Sequence, residues 1–221
     1  MHNRTATRIF LIVLFPLFII SISALSIAFD PLLYDKEFSR LGVYGTFGKS
    51  LATEANEKVV EYLSGKSPSV DTSFFTEREK THLADVKAIF SLLVLIALLF
   101  AVVFLLTILS VKGKAGMAAR VLWVGSLLLA GTIGFMWLAF AMDFDGSFSA
   151  LHVTLFRQGT YLFDPAAENI VNLYPEELFE SFAQKVALQS ALLALVGLFG
   201  GWCMGKQQSK HGQAGNKQKD I

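Results

Sequence analysis

Charged side chains are absent from four long stretches of this sequence. Ile9–Phe29, Ala88–Val111, Val121–Met142 and Val186–Met204 run for 21, 24, 22 and 19 residues without Asp, Glu, Lys or Arg. A helix rises 1.5 Å per residue, so roughly 20 apolar residues cross a hydrocarbon core with every backbone group satisfied internally. The predicted fold class is an all-α membrane protein: four transmembrane helices joined by helical, partly irregular outer loops. Its divisions are residues 1–8, a first span over 9–29, a loop over 30–87, and a second span over 88–111. A short loop over 112–120 follows, then a third span over 121–142, a loop over 143–185, a fourth span over 186–204 and a tail over 205–221.

The two long loops carry their own periodicity. After Asp30-Pro31 comes a stretch with Gly42, Gly45 and Gly48, expected to be irregular. Leu51, Ala55, Val59 and Leu63 then recur every four residues, which predicts a helix with one apolar face, ended by Ser64-Gly65. That helix is expected to lie on the bilayer surface or to roof the spans. Thr76 and Glu79 form a T-x-x-E capping box, and neither Gly nor Pro follows until Gly113, so the second span should begin as a helix two to three turns outside the membrane. In the second loop, Phe148, Leu151, Leu155 and Phe156 make an apolar stripe that contains His152. Asp164-Pro165 reads as an N-cap with proline at the first helical position, and Pro175-Glu176-Glu177 opens the helix that leads into the last span. Gly197, Gly201 and Gly205 give two overlapping G-x-x-x-G patterns, read first as close packing inside the chain. The polar, lysine-rich tail after Met204 is expected to be disordered.

Charge orients this plan. Residues 1–8, 112–120 and 205–221 carry nine Lys or Arg against one acid, Asp220, whereas 30–87 and 143–185 carry 10 bases and 17 acids. Basic loops stay cytoplasmic, which predicts both termini inside and a multi-pass protein of the inner membrane. Lys87 and Lys185, at the outer helix ends, are expected to snorkel. Arg4, Arg8 and the small residues Ala24, Ser26 and Ala28 also suit a signal peptide, but the first apolar run exceeds a usual h-region and is read as an uncleaved anchor. The single cysteine, Cys203, excludes an internal disulfide and is read as a packing residue.

Only His82 and His152 among the four histidines fall on the acidic, outer side. Imidazole both takes and gives a proton near neutral pH, so two of them beside spanning helices suggest proton transfer at the lipid boundary. Glu79 and Asp85 lie three residues to either side of His82, close enough around a helix to share its face. No G-x-S-x-G, H-E-x-x-H, phosphate-binding Gly-rich loop, C-x-x-C or H-x-x-x-x-D pattern is present. Without histidines at i, i+4 spacing, a zinc site from the two histidines and Glu79 or Asp85 is disfavoured. For each histidine alone, an interfacial or satisfied core residue is the plainer reading.

Phe75, Glu79, His82, Asp85 and Val86 form an F...E-x-x-H-x-x-D-V pattern. Phe148, His152, Phe156, Tyr161, Asp164, Pro165, Leu173, Pro175, Glu176 and Phe179 form a second, two spans later. Together they resemble the Lit family of bacterial four-helix integral membrane proteins, the lipoprotein intramolecular transacylases. Gln158 and Tyr161 stand where the family usually has Asn and Trp, which leaves the acyl acceptor open. The resemblance implies an intramolecular O-to-N acyltransferase that moves the sn-2 acyl chain of a diacylglyceryl-cysteine lipoprotein onto the cysteine's own α-amine. It implies His82 and His152 as catalytic, with Glu79, Asp85, Tyr161 and Asp164 supporting. Expected partners are the diacylglyceryl lipoprotein and membrane lipids. No cofactor, metal or nucleic acid is expected, and the sequence does not set the oligomeric state. A non-enzymatic four-span interaction or sensory protein and a lipid ester hydrolase using the same histidines are the alternatives.

Overall fold

The computed structural model describes residues 2–110, 114–156 and 161–217, with side chains described over 5–109, 115–156 and 161–208. Among them are nine helices: α1 (His2–Ala28), α2 (Pro31–Arg40), α3 (Val43–Phe47), α4 (Lys49–Leu63), α5 (Glu77–Ser110), α6 (Lys114–Met142), α7 (Phe144–Leu155), α8 (Ile170–Leu173) and α9 (Glu176–Lys217). Four of these, α1, α5, α6 and α9, are long and apolar enough to cross a membrane. Contacts divide the chain into two compact units, one of residues 1–23, 95–137 and 187–221, the other of 24–94 and 138–186.

The first unit packs the apolar runs. Leu11, Phe15, Ile19, Phe100, Val121, Leu129 and Ala194 are buried together, with Phe18 stacked on Phe100 at 4.5 Å between ring centroids. Leu95, Leu98, Val102, Leu105, Leu106 and Leu109 stay more than half exposed. Such a face is ruinous in water and matched to lipid tails. Two of the three spaced glycines pack inside the chain. A Cβ on Gly201 would lie 2.8 Å from the Trp123 backbone nitrogen, and one on Gly197 would collide with the Ser126 hydroxyl, whereas one on Gly205 would meet nothing within 4 Å. Beyond Met204 the chain continues as helix to Lys217, not as the disordered tail expected. The helix inherits its register from the span, which removes the nucleation cost that a separate polar segment would face.

The second unit folds around Tyr34, Phe38, Val43, Ala52, Ala55, Val59, Val70, Phe74, Phe75, Leu83, Ile170, Leu173 and Leu178. Here the stretch after Asp30 is helical rather than irregular. The Asp30 side chain accepts from the Leu32 amide at 3.0 Å and Pro31 takes the first helical position, starting α2. Gly42 and Gly48, at φ +76° and +77°, supply the left-handed backbone that separates α2, α3 and α4. The buried face of α4 is Ala52, Ala55, Asn56 and Val59, and Leu63 packs against the same core, so Ala55, Val59 and Leu63 hold the expected face while Leu51, 48% exposed, leaves it. Small residues let α4 lie close to its neighbours, and Asn56 accepts from the Tyr174 hydroxyl at 3.0 Å.

Lys185 is held by partners within the protein. Its ammonium donates to Glu37 at 3.0 Å and to Ser181 at 2.6 Å, while Ser181 and Arg40 also donate to Glu37, which is 2% exposed. Burial alone would raise the Glu37 carboxyl. The bonds from Lys185, Arg40 and Ser181 overcome that and hold its pKa down at about 2. Lys87 rests its ammonium 3.9 Å from the Tyr62 ring centroid and donates to the Ser67 carbonyl.

Candidate active site

The second unit brings His82 and His152 together, their rings near-parallel at 18° and 6.4 Å between centroids. Helical period explains how each arrives. On α5, Glu79, His82 and Leu83 lie three and four residues apart and are all buried, so they share the inward face. On α7, Phe144, Phe148 and His152 are spaced by four, and Phe156 continues the row just past the helix, with successive ring separations of 5.7, 4.2 and 5.2 Å. The stripe that holds His152 is therefore aromatic. Leu151 and Leu155, expected in it, are 44% and 53% exposed.

Aromatic rings surround the pair. Phe156 and Phe163 lie 4.6 and 5.3 Å from His82, and Tyr161 lies 5.5 Å from His152. His152 Nδ1 is 2.8 Å from the Phe148 carbonyl. A carbonyl only accepts, so in the neutral ring Nδ1 carries the hydrogen and Nε2 keeps the lone pair. This bond makes His152 a base with one defined acceptor atom. His82 differs, being 7% exposed with its Nδ1 buried and unpartnered among the described residues. A buried nitrogen without a partner calls for one.

The turns Glu77–Lys87 carry six charged side chains in eleven residues, a density that belongs outside hydrocarbon. There, burial first and the neighbouring His152 second lower the His82 pKa to about 4, against a smaller opposing effect of Asp85. His82 is thus neutral at pH 7. The linkage has a definite sign: the unfolded imidazole, titrating at about 6.5, binds a proton that the folded one refuses. Stability unaffected above that value should fall as pH drops from about 6.5 to about 4. Thermal unfolding followed over this range should show a steeper acid-side loss for the native protein than for His82→Phe; equal slopes would contradict the burial of a neutral imidazole.

The expected supporting residues divide. Asp85 is half-buried and acts on His82 as a charge only. Glu79, fully buried, bonds to neither imidazole. One of its oxygens accepts from the Thr76 amide at 2.6 Å, completing the capping box, and the other accepts from the Ile170 amide at 2.7 Å. It positions His82 by tying the start of α5 to α8, not by orienting the ring. Asp164 is exposed and likewise touches neither histidine; its Oδ1 accepts from the Ala166 amide at 2.9 Å and closes a single turn. The helix expected after Asp164-Pro165 is only that turn, and α8 begins at Ile170. Gln158 lies outside the described residues. No group of three His, Cys, Asp or Glu side chains suited to a metal occurs among the described residues.

Three positioning residues escaped the sequence. Arg78 donates to both oxygens of Glu168 at 3.3 Å, binds the Leu162 carbonyl and lies 5.2 Å from the Phe163 ring centroid. Glu168 is buried and accepts in turn from the Asp164 amide at 2.8 Å, while Asn169 donates to the Phe74 carbonyl at 2.7 Å. Arg78 and Glu168 thereby hold the segment that presents Tyr161 and Phe163. The pair spans 90 residues, and no local pattern signals it.

Residues 9–179 match the family described as lipoprotein intramolecular transacylase Lit. The chain belongs to the Lit family. The solved structure of the membrane-integral lipoprotein intramolecular transacylase Lit from Bacillus cereus is similar to it, with a TM-score of 0.82 and 19% identity over 95% of this chain and 99% of that one. Two further structures of the B. cereus protein, with a histidine replaced by arginine or by alanine, align at TM-score 0.74 and 18% identity, each over 95% of this chain. No curated protein matches the chain. At such identity the likeness shows the fold, that of a multi-pass integral membrane protein, and the family match carries the general function of a lipoprotein transacylase.

Proposed function

We propose that the protein moves the sn-2 acyl chain of a diacylglyceryl-cysteine lipoprotein onto that cysteine's α-amine, at the outer face of the inner membrane and with both termini inside. The observation that carries this reading is the histidine pair, one imidazole with a fixed free Nε2 and the other neutral with an unpartnered nitrogen. The reaction is an ester aminolysis. The substrate amine, with a reference pKa near 8, enters as the free base after releasing its extra proton to water. Its nitrogen attacks the ester carbonyl, forming the C–N bond, and His152 Nε2 takes a proton from the nitrogen of the tetrahedral intermediate. The same proton passes to the glyceryl oxygen as the C–O bond breaks.

His82 supplies a donor to the oxyanion. A neutral imidazole suits this, since it stabilises developing charge without surrendering its proton in the ground state. Asp85 moderates the ring's electrostatics, Glu79 and Asp164 fix the backbone around it, and Tyr161 walls His152. Because amine and ester belong to one molecule, alignment alone can supply roughly 7–11 kcal/mol. The aromatic surround favours amine over water at the carbonyl, separating this reading from a lipid hydrolase. Lipoprotein mass spectrometry of cells expressing the protein, in a host without this activity, should find N-acylated lyso-form lipoprotein. Free fatty acid with an unacylated N-terminus would overturn the proposal in favour of hydrolysis.

A further inference from the structure

We infer that the row of rings leading from His152 back along α7 holds the sn-2 acyl chain of the diacylglyceryl substrate, so that Phe148, Phe144 and Phe140 decide where its ester carbonyl comes to rest. The inference rests on the transacylase reading for the identity of the chain and names the surface that receives it. Phe140, in the last turn of α6, Phe144, Phe148 and His152 recur every four residues, with 5.6, 5.7 and 4.2 Å between successive ring centroids. Each ring is half-buried, so the row forms a continuous strip on the surface of its own unit. Phe179 of α9, 38% exposed, adds a side wall 5.2 Å from Phe148. No side chain of α7 is buried, and Leu151, Val153 and Leu155 are 44%, 62% and 53% exposed. A helix so apolar on its open sides belongs against lipid.

The two ends of the aromatic surround differ in chemistry, and that difference selects the occupant. Past His152 in one direction stand Tyr161, with its hydroxyl, and Phe163, whose ring centroid lies 5.2 Å from the Arg78 guanidinium. In the other direction the rings carry neither hydroxyl nor charge, and Phe140 belongs to the charge-free run of the third span. Asp143 caps α7 through the Gly146 amide and Asp145 bonds to Glu176, so both acids lie off the row. An ester placed at His152 has a polar arm, the glyceryl and peptide part, and a hydrocarbon arm. The polar arm suits the Tyr161 end and the hydrocarbon arm suits the Phe140 end. Phe144 and His152 are separated by about 12 Å of helix, the reach of about ten carbons of an extended chain. A chain that leaves lipid for these rings exchanges one apolar surround for another, so the row supplies placement rather than affinity.

Photocrosslinking of the full-length protein in phosphatidylcholine bilayers tests this. The probe is a diacylglyceryl lipopeptide whose α-amine is acetylated, so that no transfer can occur, with a diazirine in the sn-2 chain either beside the carbonyl or about ten carbons away. Peptide mass spectrometry should place the near probe's adducts within residues 148–152 and the distal probe's within 140–144. Excess unlabelled acetylated lipopeptide should remove both sets. Phe144→Asn, which sets a polar group on the track, should lose most distal adducts and keep the near ones, whose retention shows an intact fold; Phe144→Leu should recover the distal set. Distal adducts on another element, adducts that survive the competitor, or an unchanged distal set in Phe144→Asn would overturn the inference. The same lipopeptide with a free amine reports the reaction separately. N-acyl product alongside distal adducts elsewhere would overturn the track alone, whereas adducts in the expected order without N-acyl product would sustain the track and overturn the transfer.

Discussion

Replacing His152 with alanine should lower the rate of N-acyl product formation by about 10²–10⁴-fold, the usual weight of one general acid–base group. In the proposed mechanism both proton movements, off the attacking nitrogen and onto the glyceryl oxygen, pass through Nε2 of this residue, the atom that the bond from Nδ1 to the Phe148 carbonyl leaves with the lone pair. The loss should fall on kcat, with KM nearly unchanged, because proton transfer through the ring is an interaction made only in the transition state. His152→Phe separates chemistry from packing. A phenyl ring preserves the contacts with Phe148, Phe156 and Tyr161 and should leave the thermal midpoint near that of the native protein, yet transfer should be lost as completely as in the alanine variant. Added imidazole should restore part of the rate to His152→Ala, which has a cavity to hold it, and none to His152→Phe. Full activity in His152→Phe would remove the residue from the reaction.

Glu79→Ala should be the most damaging change to the fold of the second unit. Its carboxylate is 0% exposed and satisfies two backbone amides, Thr76 at 2.6 Å and Ile170 at 2.7 Å. Truncation strands both donors in a dry core at about 1–3 kcal/mol each, with the cavity added, so a loss of about 3–5 kcal/mol is expected in thermal or denaturant unfolding. Glu79→Gln should recover only part of it. Its amide oxygen still accepts one N–H, but the NH₂ group now faces a donor. Activity should fall with stability, since His82 lies one turn along α5 from Glu79. A Gln variant as stable as the native protein would show that the two bonds carry little.

The sequence exposed the membrane architecture because hydrocarbon imposes a long, unambiguous signal: four stretches without charge became the cores of α1, α5, α6 and α9. The capping box at Thr76 and Glu79 was legible for the same reason, being local. What proved illegible was set by tertiary partners. The helical period near His82 offered Glu79 to the imidazole, but the Ile170 amide, 91 residues away, holds that carboxylate. Lys185 is likewise held by Glu37, 148 residues distant. Asp-Pro illustrates the limit of local chemistry. At Asp30-Pro31 it opens a ten-residue helix where the following glycines suggested irregularity, and at Asp164-Pro165 it yields a single turn because Glu168 and Asn172 tie the chain back on itself. In α4 the period placed Ala55, Val59 and Leu63 on the core side, but Leu51 is exposed, and Ala52 and Asn56 complete the buried face. The two histidine motifs could be recognised as a pair, but their shared aromatic surround rests on α7 being helical from Phe144 and on Arg78 clamping the 161–163 segment.

The most direct test of the histidine-paired intramolecular transfer is an isotope-crossing experiment on the purified protein in lipid bilayers. Two synthetic diacylglyceryl lipopeptides are mixed, one deuterated in its sn-2 acyl chain and the other labelled with ¹⁵N in its peptide, and the products are read by mass spectrometry. Lyso-form products in which each N-acyl chain stays with its original peptide, formed by the native protein and absent with His152→Phe, are predicted. Products carrying both labels, free deuterated fatty acid, or undiminished product from His152→Phe would contradict it.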